Sequence, residues 1–68
     1  MININELKAA IVRKGLTQTD VAQRLNVTPR TFGSKLGKGV FNSDEIENMI
    51  RILEIKDPMP IFFDGIVS

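Results

Sequence analysis

Gln18-Thr19-Asp20-Val21-Ala22-Gln23-Arg24-Leu25-Asn26-Val27-Thr28-Pro29-Arg30-Thr31-Phe32 is the stretch that decides the fold. It reads as two short helices meeting at a tight corner. Two helices that cross closely need a small residue at the crossing, and Ala22 stands there. Four positions on, the chain must leave the first helix through a left-handed residue. Asn26 tolerates that conformation better than any residue except glycine. Val27 then anchors the turn inward. Thr28 can cap the second helix, with Pro29 at the first helical position, where its missing N–H costs nothing. Phe32 and Leu36 dock that second helix. Its other face carries Pro29, Arg30, Ser34 and Lys35, all polar or small.

Working outward, the same grammar repeats. Asn3 and Glu6 have capping-box spacing ahead of an apolar stripe of Ile4, Leu7, Ala10 and Ile11. Arg13 and Lys14 suit that helix's negative end, and Gly15 is its expected stop. Thr17 and Asp20 repeat the box, as do Asn42 and Glu45 ahead of Ile46, Met49, Ile50 and Leu53. Hydrophobic residues ahead of each cap can staple onto the fourth helical residue: Ile2 on Leu7, Leu16 on Val21, Val27 on Phe32, Phe41 on Ile46. Gly37 is the expected end of the helix that opens at Thr28, with Gly37-Lys38-Gly39 as a loop. A last short helix is expected after Asp57, opening at Pro58. Nothing alternates with period two, so no strand is expected. The fold class is all-α: a compact four- to five-helix bundle over residues 1–68 as a single domain, with the helix-turn-helix at about 17–37 and an apolar tail at 57–68.

Composition narrows the chemistry. The 68 residues contain no Cys and no His. That removes disulfides, thiolate metal sites, Cys nucleophiles and His general bases. The carboxylates Asp44, Glu45 and Glu47 fall at the expected start of a helix, where its dipole favours negative charge. They are read as helix stabilisers, not as a metal or catalytic cluster. Gly33-Ser34-Lys35-Leu36-Gly37-Lys38-Gly39 lacks the spacing and the Ser or Thr of a phosphate-binding loop. No enzyme, cofactor, metal or small-molecule substrate is therefore expected. Neither a signal peptide nor a stretch approaching the ~18 apolar residues of a membrane span is read. The expected location is cytoplasmic, at the nucleoid.

Net charge is only +1, but it is unevenly spread. Residues 1–38 hold seven cations (Lys8, Arg13, Lys14, Arg24, Arg30, Lys35, Lys38) against Glu6 and Asp20. Residues 39–68 hold Arg51 and Lys56 against six carboxylates. The first part suits a polyanion and the second is repelled by one.

The ordered set from Gln18 to Phe32, with Lys14-Gly15-Leu16 before it, resembles the helix-turn-helix core of the Cro/C1-type repressor family. Asp57-Pro58-Met59-Pro60-Ile61-Phe62-Phe63 is similar to the tails of small phage and prophage regulators of that family. The resemblance implies a lambda-repressor-like DNA-binding domain acting as a transcription regulator on a double-stranded operator. It implies that Gln18, with Thr17 beside it, meets a backbone phosphate. Thr28, Pro29, Arg30, Thr31 and Ser34 would face base edges, and Lys38 with Lys35 would meet phosphate. Physical chemistry is consistent with those roles: Arg pairs bidentately with guanine, while Lys and Gln on phosphate add affinity without sequence information. Two departures from the family stand out. Pro29 occupies a position where relatives often carry a base-reading side chain, and Gly33 lies mid-helix, at a cost of roughly 1 kcal/mol relative to Ala.

Such proteins bind as symmetric dimers, so a homodimer is expected. Its seam is placed at helix four or at the tail, with Ile61, Phe62, Phe63 and Ile66 as contacts, because that apolar bulk exceeds what so small a domain usually hides. The alternative reading is an antitoxin or anti-repressor that works by pairing with a second repressor protein.

Overall fold

The computed structural model describes residues 2–63. Five helices follow in order: α1 (Ile4–Arg13), α2 (Gln18–Arg24), α3 (Pro29–Lys38), α4 (Ser43–Ile52) and α5 (Met59–Phe62). The chain is all-helical across the described residues. None of these helices is long and apolar enough to cross a membrane.

Each of the first four helices opens on the residue its cap predicts. Asn3 Oδ1 accepts from the Glu6 N–H at 3.2 Å, without a return bond from Glu6. Thr17 and Asp20 complete both halves of a capping box, at 3.1 and 2.9 Å. Thr28 Oγ1 accepts from the Thr31 N–H at 3.1 Å, with Pro29 at the first helical position. Asn42 and Glu45 form the second full box, at 2.8 and 2.9 Å.

The ends of α1 to α4 share a second device. At each, a left-handed residue turns the chain, and two backbone bonds close over the last turn, a Schellman arrangement. The left-handed residues are Gly15 (φ 77°), Asn26 (φ 60°), Gly39 (φ 68°) and Glu54 (φ 50°). For α2 the bonds run from Val27 N–H to Ala22 C=O and from Asn26 N–H to Gln23 C=O, at 3.0 and 3.1 Å. For α3 they run from Val40 N–H to Lys35 C=O and from Gly39 N–H to Leu36 C=O, at 3.2 Å each. Here the structure corrects the sequence reading: α3 runs through Gly37 and Lys38 and stops at Gly39. Gly37 keeps a helical backbone because the left-handed step that closes the turn is taken two residues later. The α5 helix likewise starts at Met59, one residue beyond Pro58, with the Met59 N–H bonded to Asp57 Oδ1 at 3.1 Å.

One core holds the elements together. Leu7, Ile11, Val21, Phe32 and Met49 are its largest fully buried side chains. Phe32 and Phe41 pack with ring centroids 5.7 Å apart at a tilt of 51°. Ala22 is fully buried, and α2 packs most extensively on α3. The small side chain at the crossing is what permits that approach.

The tail requires a second correction. Ile61 and Phe62 are only 5% and 3% exposed within the single chain. They sit on α5, which packs against α1, and the Asn3 N–H donates to the Ile61 carbonyl at 2.7 Å. The apolar bulk expected to form a dimer seam instead closes the chain's own core. Phe63 is half-buried, and Ile66 lies outside the described residues.

Candidate nucleic-acid interface

The periodicity of α3 divides its residues between two tasks. Phe32 and Leu36 are buried, one turn apart. Positions 30, 34 and 38 follow one another at four-residue spacing on the opposite side, so Arg30, Ser34 and Lys38 form one exposed strip. Thr28, Pro29 and Thr31 at the start of the helix are exposed as well. The whole outward face is thus polar or small, on a helix held rigid by its inward pair.

Thr28 and Thr31 are joined to each other. The Thr28 hydroxyl donates to Thr31 Oγ1 at 2.9 Å while it caps the Thr31 N–H. Of the two, the Thr31 hydroxyl is the one whose proton stays available for an outside acceptor. At the start of α2, Thr17 and Gln18 are exposed. Thr17 Oγ1 accepts from the Asp20 N–H, which also leaves its proton to point elsewhere.

Lys35 behaves differently from its neighbours. Its Nζ lies 2.6 Å from Glu45 Oε2, and both side chains are largely covered. Sequence reading expects Lys35 on phosphate beside Lys38, whereas in the free chain it bridges α3 to the start of α4. The role of Glu45 was legible only as a cap. Its partner is ten residues away across a turn, and no local pattern marks such a pair. Burial works against its charge, but the hydrogen bond from Lys35, the Asn42 N–H and the Lys35 charge outweigh it. Together they hold the carboxyl below the usual glutamate range. Asp20 is likewise held low by the backbone and hydroxyl of Thr17. Both shifts favour the folded state above the ordinary carboxylate range, and that contribution fades as pH falls through the folded values.

A groove runs beside the strip, lined by Thr31, Ser34, Lys35, Lys38, Val40, Phe41 and Asn42. Val40 is 64% exposed there, although the corresponding residues after α1, α2 and α4 (Leu16, Val27 and Ile55) pack against the core. Across the described residues, no group of three or more carboxylates, His or Cys could hold a metal ion. Nor does any buried side-chain polar atom lack a partner.

Comparison with protein-family models, with curated proteins and with solved structures gives no match. The site therefore stands on its own geometry.

Gly33 offers a direct check on the free chain. A Cβ built there meets nothing within 4 Å, and its backbone is ordinary helix. The glycine is required neither by packing nor by a special φ. Gly33→Ala is expected to stabilise the isolated protein by about 0.5–1 kcal/mol, because alanine has less chain entropy to lose in a helix. A thermal melt followed by circular dichroism reads this as a rise of a few degrees.

Proposed function

We propose that this chain is a sequence-specific DNA-binding regulator of transcription of the Cro/C1 repressor type, and that α3 enters the major groove. One observation carries the reading: α3 is locked to the body by Phe32 and Leu36 and presents Arg30, Ser34 and Lys38 outward. A recognition helix must meet both requirements at once, since base edges are read by a polar face held at fixed distance and register. The uneven charge adds support, with the basic excess concentrated in the segment that contains α1 to α3.

In this reading Arg30 reads a base, with Ser34 and Thr31 as lesser contacts. Gln18, Thr17 and Lys38 take phosphates, and Thr28 and Pro29 pack at the groove. Two copies would occupy half-sites about 10–10.5 base pairs apart or a multiple of that. The alternative, pairing with a second repressor protein, would need an apolar surface such as the tail to be open. With Ile61 and Phe62 buried in the core, nothing in the described residues favours it.

Selection from random duplexes, followed by binding titrations with the selected site, tests the proposal. Arg30→Ala is expected to weaken specific binding by about 1–3 kcal/mol and to relax preference at one base. Gln18→Ala and Lys38→Ala are expected to weaken all duplexes alike. Absence of any salt-sensitive, sequence-selective binding by the unaltered chain would remove the proposal.

A further inference from the structure

We propose that Glu45 withholds Lys35 from DNA phosphate, and thereby sets the sequence-independent part of the chain's affinity. The inference rests on the DNA-binding reading above and concerns the regulation of that same face.

The geometry begins with the carboxylate. Glu45 is 8% exposed, and its two oxygens are engaged separately. Oε1 accepts from the Asn42 N–H at 2.9 Å, and Oε2 accepts from Lys35 Nζ at 2.6 Å. The Glu45 N–H in turn donates to Asn42 Oδ1 at 2.8 Å. The side chain is thus fixed to the first turn of α4 and cannot follow Lys35 outward.

Lys35 lines the same groove as Ser34 and Lys38, so an extended side chain would lie on the face assigned to DNA. To reach a phosphate it must leave a covered carboxylate without its counter-ion, and such a charge is costly to strand. Lys38 makes no ion pair among the described residues and carries no such tether. The contrast with Lys14 and Glu54 is instructive. That pair also forms, but on open surface, with side chains 38% and 68% exposed, where an ion pair holds its partners weakly. Glu45 is thus a positioning residue: it removes one cation from the phosphate-facing set.

Three variants test this: Glu45→Gln, Lys35→Met and the double variant. Glutamine at the third helical position keeps a capping side chain, so Glu45→Gln preserves the start of α4. Each protein is first checked for helix content. Binding to a short duplex of scrambled sequence is then titrated across salt concentrations. Glu45→Gln is expected to release Lys35 and steepen the dependence of log K on log salt by about 0.9, the slope of one added phosphate contact. Between 50 and 200 mM salt, that slope is about 3.5-fold more affinity lost. Lys35→Met is expected to leave the slope at its original value, and the double variant to match it.

A slope flattened by about 0.9 in Lys35→Met alone would overturn the inference, because Lys35 would already be on phosphate. So would a Glu45→Gln effect that survives in the double variant, which would assign it to the lost negative charge. An unchanged slope in Glu45→Gln has the same force. Should Lys35→Met fail to fold, the double variant, with no stranded carboxylate, supplies the comparison with Glu45→Gln. If the unaltered chain shows no salt-sensitive duplex binding, the DNA reading fails and takes the inference with it. Any of the other outcomes defeats the role of Glu45 alone.

Discussion

Replacing Phe62 with alanine is expected to destabilise the fold by about 3–5 kcal/mol. A chain of this size has only some 3–10 kcal/mol of stability to lose. Phe62 is 3% exposed and Ile61 beside it 5%. They are the buried residues of a four-residue helix, which is too short to persist without packing. Losing the ring therefore removes the reason for α5 to dock on α1, and the bond from the Asn3 N–H to the Ile61 carbonyl goes with it. Urea unfolding followed by circular dichroism should show the midpoint collapse, with sedimentation run in parallel. A folded chain of reduced mass and unchanged midpoint would instead restore Phe62 to an interface between copies.

The placing of Ile61 and Phe62 in a dimer seam failed for a physical reason. Sequence shows how much apolar bulk a segment carries but not whether the rest of the chain leaves a face for it to cover. The α1 helix presents such a face, and Ile61 and Phe62 fill it. Helix starts were far more legible. Asn3, Thr17, Thr28 and Asn42 act through bonds that span three residues, so the signal lies inside a short window.

Helix ends were legible only in part, although those of α1 to α4 use one device. Gly15 and Asn26 are residues that accept a left-handed backbone readily, and each is followed by an aliphatic that packs inward. Gly39 competed with Gly37 two positions earlier, and the residue after it, Val40, faces solvent, so the inward aliphatic that would have distinguished them is missing. Glu54 has no intrinsic preference for φ 50°. It takes that conformation because Ile55 must return to the core, a tertiary demand that composition does not carry.

The candidate site divides along the same line. The exposure of Arg30, Ser34 and Lys38 follows from the helical period once Phe32 and Leu36 are placed inward. The tie between Lys35 and Glu45 does not. It depends on how the turn after Gly39 brings α4 beside α3.

Phe32→Ala is expected to cost about 3–5 kcal/mol, and the manner of the loss matters as much as its size. Phe32 is fully buried, and it and Leu36 are the buried residues of α3. If α3 were an appendage, removing the ring would free that helix and leave the remaining elements folded. The packing argues otherwise. Phe32 packs at a tilt against Phe41, beyond the end of α3, and belongs to the same continuous core as Leu7, Val21 and Met49. The cavity would open between α2, α3 and the start of α4 rather than at the rim. Amide hydrogen exchange separates the two cases. Protection is expected to fall together in α1, α2, α3 and α4, with the melting transition lowered for the whole chain. Loss confined to α3, at an unchanged melting temperature, would show that the outward face is held by a hinge. A helix held that way could not keep Arg30 at a fixed register against a base.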